Sequence, residues 1–479
     1  MIGVLHILSE VLAGLALALL LPAALALAGG DPIGGNFLVV SGLVGFVAGA
    51  IFFALRGRQR ALGRADRFVL VLVVWTAVPV IAALPITLST DLSFLAALFE
   101  AASGFTTTGA TVFPALADVG RAVIFWRAEL QWLGGLATLL TFVLILAPAE
   151  LGGLSSRGWS LIGGFAEAGR GRVREVIGAI AALYAAVTGA CVVSLLVTGI
   201  PPLDAICLAF STVSTGGFMP IDGTLAAYGN LAVEFVIPAF MLIGATGITW
   251  QRMLFDRRRT LLAEERETYW VVGVALAAGV LYAVAFAGSE DLLTAIGDGL
   301  FAGVSLVSTT GFETRAAGLS ALPDPLVLAL ALGGAASLST AGGLKVYRVG
   351  AMAVRASHEL KRAIFPHAVG STRFGAQTFD LQMMKAIWAN LGLSLAVVIV
   401  AALLLSLALP GFDAALVAAV SAFSNVGPLY SPGWPLAAGW PPWALFPDWS
   451  KLVVILTMIL GRLEVIVVFA ALNLAYWRS

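Results

Sequence analysis

Ser103-Gly-Phe-Thr106-Thr-Thr-Gly109 is one of four copies of a short polar pattern: serine, two residues, serine or threonine, two residues, glycine. The other copies are Ser211-Thr-Val-Ser214-Thr-Gly-Gly217, Ser305-Leu-Val-Ser308-Thr-Thr-Gly311 and Ser421-Ala-Phe-Ser424-Asn-Val-Gly427. One copy would mean nothing, because these residues are common. Four copies in the same hydropathic setting indicate an internal repeat. None carries a charged side chain at its central positions, so the chemistry on offer is that of backbone carbonyl dipoles. Four short, Gly-ended polar loops inside lipid suit a central pore that replaces the water around a cation with backbone oxygens. The absence of an Asp/Glu ring favours a monovalent cation. Four Ser/Gly helix-packing patches are the simpler alternative, since small residues aid helix contact in lipid. They do not explain the short apolar segment that precedes every copy.

Those segments run over about 92–103, 203–212, 292–306 and 413–422. Each is too short to span a membrane and is a candidate re-entrant helix. Asp204, Asp298 and Asp413 precede their pattern glycines by a similar interval, where an Asp at a helix start satisfies free N–H groups and suits the positive dipole end. The first copy has Ala96 there, with Asp91 and Ser93 as substitutes. Helices entering from outside aim their partly negative C-terminal ends at the pore centre, which favours a cation. Glycine then lets the backbone take positive φ and turn a carbonyl inward. Irregular backbone at this depth is tolerated only when it is buried in protein or lines a wet cavity.

The elements that must hold these loops are long apolar helices. The chain is 60% hydrophobic and 11% charged, with mean hydropathy +0.99, whereas a soluble domain carries about 25% charged residues. Apolar stretches of spanning length lie near 8–28, 37–56, 67–87, 123–147, 175–199, 231–251, 268–288, 326–355, 384–408 and 450–477. The reading is an all-α integral membrane protein with ten spans. Two N-terminal helices are followed by four helix–pore-loop–helix repeats around a central pore, an arrangement like that of K⁺ channels. The expected units are residues 1–62, 63–150, 151–258, 259–375 and 376–479. The Ala-Leu-Ala run near 24–28 imitates a signal cleavage site but lacks a basic segment before it, so the first helix is expected to be retained.

Formal net charge is zero, so charge is read by position. Arginines cluster at 56–67, at 157–174 and at 252–266, and a mixed Lys/Arg cluster spans Lys345 to Lys385. The intervening connections hold few basic residues. The positive-inside rule places the basic connections and both termini in the cytoplasm, with the four polar loops in the outer half. Clusters separated by membrane spans are not a nucleic-acid patch. Cys191 and Cys207 sit in apolar sequence and are expected to stay unpaired. His6, His358 and His367 have no metal spacing, and no Ser-His-Asp set or dinucleotide fingerprint is present.

Two further features interrupt the spans. Gly333-Gly-Ala-Ala-Ser-Leu-Ser-Thr-Ala-Gly-Gly343, followed by Leu344 and Lys345, falls inside the eighth span. Its spacing fails as a phosphate loop. So flexible a stretch, with Gly334 and Gly342 as well as its end residues, is expected to break the helix below the third polar loop, where a gate could lie. Arg462 lies within the last span, where an arginine is costly and normally faces protein or water with a partner. Glu464 points to a different face, so Arg462 is expected to reach the carbonyls near 333–343.

The residues quoted so far, with Phe99–Thr111, Gln131-Trp-Leu-Gly-Gly135, Ser214–Phe218, Ser308–Phe312, Ser339–Lys345, Ser424–Pro428 and Gly461-Arg-Leu-Glu464, resemble the Trk/Ktr/HKT superfamily of potassium transporters, and TrkH-type subunits most closely. The resemblance implies a homodimer, each protomer with its own pore, taking up K⁺ across the bacterial plasma membrane, with no cofactor on this chain. It implies a selectivity filter of Thr106, Thr107, Thr108 and Gly109; Ser214, Thr215, Gly216 and Gly217; Ser308, Thr309, Thr310 and Gly311; and Ser424, Asn425, Val426 and Gly427. It further implies a gate at the 333–343 loop, with Arg462 beside it, and a cytosolic TrkA-type ring that binds the regulatory nucleotide. An inside-negative potential supplies ~2.3 kcal/mol per charge per 100 mV, which supports roughly 40-fold accumulation at about 1.4 kcal/mol per tenfold. Coupling to Na⁺ or H⁺ is therefore not required, although a coupled symporter on the same scaffold is the alternative.

Overall fold

The computed structural model describes residues 2–57, 62–146, 170–255, 266–288, 291–315, 318–365, 373–374, 377–378, 381–430 and 439–472. Much of the expected basic connections, including Arg58, Arg60, Arg157 and Arg257 to Arg259, lies outside them. Among the described residues the regular secondary structure is helical except for a two-residue antiparallel ladder, Arg373–Phe374 with Gln377–Thr378. Seven helices are long and apolar enough to cross a membrane: Ile2–Ala28, Gly34–Ala54, Ala65–Ser89, Arg121–Ile145, Arg174–Val197, Arg266–Phe286 and Leu381–Leu405. The chain is a multi-pass membrane protein.

The four short helices are Phe94–Phe105, Pro202–Val213, Leu292–Val307 and Phe412–Ser424. Each packs against the long helix that precedes it. The long helix after each copy then packs on the next copy's short helix, and the last span, Asp448–Leu463, closes the circle against Phe94–Phe105. This order makes a pinwheel in which every short helix is wedged between two repeats. The N-terminal helices pair with each other and lean on the first repeat.

Helix starts differ from expectation in one clear case. Ser93 caps the first short helix by accepting from the Ala96 N–H. Asp204 and Asp413 lie in the first turns of theirs, without a capping bond. Asp298 is not at a helix start: Asp291 caps that helix, accepting from the Thr294 N–H. Asp298 instead lies along the helix and accepts from Thr314 and Arg315 at 2.9 and 2.6 Å. The helix starts at Leu292, where the apolar segment was expected to begin, so this carboxylate sits in its second turn, beside the chain that leaves the third loop.

The second long helix of every repeat is interrupted. In the first repeat it ends in a π-helical turn, Phe142–Leu146. The expected continuous span over 231–251 is in fact two helices, Leu231–Ala245 and Ile248–Leu254, bent by 107°. The third is broken between Asp324–Gly333 and Val346–Ile364. The last span, expected to be continuous, breaks at Glu464, whose φ is 60°.

Candidate functional site: a ring of four loops

Each short helix ends in the same hydrogen-bond scheme. The N–H of Thr108 bonds to the Ser103 carbonyl, Gly216 to Ser211, Thr310 to Ser305 and Val426 to Ser421, at 2.7–3.1 Å. One residue earlier, the N–H groups of Thr107, Thr215, Thr309 and Asn425 bond back to Gly104, Thr212, Leu306 and Ala422. This pair of bonds is the Schellman helix end, which requires a left-handed residue between them. The four residues that take that conformation are Thr107 (φ 53°), Thr215 (55°), Thr309 (62°) and Asn425 (55°). A left-handed β-branched residue is an outlier, and such strain costs about 1–3 kcal/mol and gathers at functional sites.

The glycines that follow bring the four loops together. A Cβ on Gly109 would sit 2.2 Å from the Gly216 oxygen, and one on Gly217 2.1 Å from the Thr310 oxygen. A Cβ on Gly311 would press on Pro428 at 2.9 Å, and one on Gly427 would lie 2.0 Å from the Ala110 nitrogen. The contacts run from copy one to two, two to three, three to four and four to one, so the loops form a closed ring. Gly109, Gly217 and Gly311 have φ near 80°. Gly427 departs: it begins a 3₁₀ turn with Pro428 and Leu429.

Several carbonyl groups in the ring are paired within the protein, those of Val426 and Gly427 with Ser421 Oγ among them. Thr108 accepts from the Gly427 N–H and Gly216 from Gln131 Nε2. The carbonyl oxygens of Thr107, Thr215, Thr309 and Asn425 accept no hydrogen bond from the described residues, although these four residues are at most 1% exposed. Buried carbonyls are nearly always paired. Four unpaired ones at equivalent positions of a closed ring are suited to a desolvated monovalent cation.

Side chains unmarked by the repeat pattern brace the ring. Glu100 accepts from Arg127 Nε at 2.5 Å, from the Val112 N–H and from Thr111 Oγ1, tying the chain after the first loop to its short helix. The Arg127 guanidinium also lies 4.1 Å over the Phe218 ring. Gln131 reaches across to the second loop, donating to the Gly216 carbonyl and accepting from the Phe218 N–H. In the first, second and fourth repeats a glycine of the following span, Gly134, Gly244 and Gly461, lies against a carbonyl in the final turn of a short helix, that of Phe105, Val213 and Phe423.

The segment 334–345 leaves and re-enters the third repeat's broken helix directly beneath the ring. Its ends face each other: the Leu344 N–H bonds to Leu332 and the Val346 N–H to Ala335. Gly334, Gly343 and Lys345 take positive φ. A Cβ on Gly334 would meet the Gly342 oxygen at 2.4 Å, so Gly334 and Gly343 close this neck, while Gly333 ends the helix before it. Gly342 lies at the tip, where a Cβ would meet the Ser424 oxygen of the fourth loop at 2.0 Å. The segment also pairs with the break in the second repeat, Ala336 to Ala245 and Ile248 to Leu338.

Arg462 lies beside this segment. Its NH2 donates to the Thr340 carbonyl and its Nε to Thr138 Oγ1 at 2.9 Å. Lys345 donates to the Ala341 carbonyl and lies 5.3 Å over the Phe142 ring. Glu464, which shapes the break after Arg462, pairs with Arg348, and Glu267 accepts from the N–H and hydroxyl of Ser337. Sequence reasoning missed Glu100, Arg127, Gln131, Glu267 and Arg348. Glu100 and Gln131 carried a signal, through the motifs Phe99–Thr111 and Gln131–Gly135.

A family model described as TrkH, a cation transport protein, matches residues 41–264 and 291–475. The Trk system potassium uptake protein TrkH of Vibrio parahaemolyticus is 28% identical, covering 100% of this chain and 99% of its own length. That of Halomonas elongata is 29% identical, with 99% of each chain covered. The crystal structure of the potassium transporter TrkH from Vibrio parahaemolyticus superposes with a TM-score of 0.87 at 26% identity, covering 100% of this chain and 99% of that one.

Proposed function

The chain belongs to the TrkH family of cation transport proteins, and from that premise we propose that it takes up potassium through a pore encircled by the four loops. It is a transport protein and not an enzyme. The observation that carries this reading is the set of four buried, unpaired carbonyls at Thr107, Thr215, Thr309 and Asn425 in a closed ring. Full-length relatives named for potassium uptake agree with it. Potassium is the substrate, and the sixteen residues from Thr106–Gly109, Ser214–Gly217, Ser308–Gly311 and Ser424–Gly427 form its filter. The short helices point their C-terminal ends into the ring, where a cation gains from the dipoles.

The finer picture follows the same reading. The protein works in the bacterial inner membrane with both termini cytoplasmic, as the Arg-rich connections favour. It acts as a homodimer, one pore per protomer, surrounded by lipid and controlled by a cytosolic TrkA-type ring that carries the nucleotide site. The repeats run over 63–150, 151–258, 259–375 and 376–479, after a two-helix unit at 1–62. The segment 333–343 obstructs the pore from below, with Gly333, Gly334, Gly342, Gly343, Lys345 and Arg462 forming its gate. The membrane potential is the driving force. Purified protein in vesicles should take up tracer Rb⁺ under an inside-negative potential, with K⁺ competing and Na⁺ competing at least tenfold less. Equal competition by Na⁺ would overturn the assignment.

A further inference from the structure

We propose that Thr340 and Gly342 of the intramembrane segment are positioning residues for the filter, so that the element beneath the ring also helps to set its ion selectivity. The inference rests on the proposed function and extends it. It begins from strain. Thr107, Thr215 and Thr309 are β-branched residues held left-handed, and such conformations persist only where the surroundings over-determine them. What surrounds them differs from copy to copy.

In the third loop, Thr309 Oγ1 accepts from the Gly342 N–H at 2.8 Å. In the second, Thr340 Oγ1 lies 3.4 Å from Thr215 Oγ1 and within donating distance of the Val213 carbonyl, at 3.1 Å. Val213 is the last residue of the second short helix, two positions before the strained threonine. The same hydroxyl lies 3.0 Å from the Gly244 carbonyl, and the Thr340 N–H bonds there too. Thr340 therefore joins the filter, the bent helix of the second repeat and, through its carbonyl, Arg462. The fourth loop is held otherwise: Asn425 Nδ2 donates to Met458 in the last span and to Thr108 Oγ1. Thr107 Oγ1 has no partner among the described residues. Two of the four left-handed residues thus hydrogen-bond to the segment below through their side chains, and two do not.

A displacement of residues 340–342 removes these contacts together. Thr215 and Thr309 are then free to leave the left-handed region, and their carbonyls lose the placement that a K⁺-sized site requires. Selectivity therefore depends on the position of the segment as well as on the filter residues. Thr340→Val keeps the branched shape and removes the hydroxyl; Thr340→Ser keeps the hydroxyl and removes the methyl group.

The test compares Rb⁺ and Na⁺ permeability of the parent and both variants in vesicles, alongside thermal stability. Thr340→Val is expected to lower the Rb⁺/Na⁺ ratio at least threefold, and Thr340→Ser to retain the parent ratio. A merely structural role would lower stability in either variant and leave the ratio alone, which would overturn the proposal. Should Thr340→Val fail to assemble, Thr309→Val cuts the corresponding bond from the filter side; a parent-like ratio there overturns the proposal, and a reduced ratio supports it. A parent protein with no preference for Rb⁺ over Na⁺ would overturn the proposed function itself, a result distinct from either of these.

Discussion

A threonine held left-handed is costly, yet the ring contains three, and the glycine two residues later completes each turn. Gly109 shows what the geometry forbids. Its φ is 82° and any Cβ would lie 2.2 Å from the Gly216 oxygen. Gly109→Ser must therefore displace the contact between the first and second loops. The expected outcome is a loss of K⁺ over Na⁺ preference of about tenfold, or ~1.4 kcal/mol, measured as Rb⁺ and Na⁺ fluxes in vesicles; unchanged preference would remove Gly109 from the filter. At this scale the sequence was partly legible. The spacing of Ser103, Ser211, Ser305 and Ser421 is visible in the chain because the helix-end bonds are local. Gln131 and Thr340 bond to residues 85 and 127 positions away, and no pattern in the chain announces such pairings.

At the scale of elements, the apolar segments and short helices could be read from hydropathy, because lipid imposes length and polarity on every span. The breaks were legible only where glycine marks them. The segment 333–343 stands out by composition. The bend after Ala245 has one glycine, and the break at Glu464 has none, since its left-handed residue is fixed by the buried pair with Arg348. Asp298 misled for a related reason: its sequence position suited a cap, but its partners Thr314 and Arg315 come from beyond the loop. The interrupted third helix leads to a direct expectation. Shortening 333–343 should raise basal Rb⁺ flux several-fold in correctly assembled protein, because the segment packs under the second, third and fourth loops. An assembled deletion variant with parent flux would sink its gating role.

For the whole molecule, the cyclic packing joins all four repeats to one axis, and Arg462 ties the last span to the segment beneath it. Arg462→Ala removes the bonds to Thr340 and Thr138 and a positive charge from below the filter. Rb⁺ uptake without the proposed cytosolic ring should rise, and dependence on such a ring should weaken. Loss of a buried charge's network can cost about 3–5 kcal/mol, so only monodisperse protein is informative; identical ring dependence in variant and parent would leave Arg462 a structural residue. The central claim is that a dehydrated potassium ion sits inside the ring of four loops. Crystals soaked in Tl⁺ or Rb⁺ test it most directly through anomalous scattering. The account predicts signal on the axis encircled by Thr107, Thr215, Thr309 and Asn425, diminished by competing K⁺ and not by Na⁺. Ion density confined to other parts of the molecule, with none inside the ring, would contradict it.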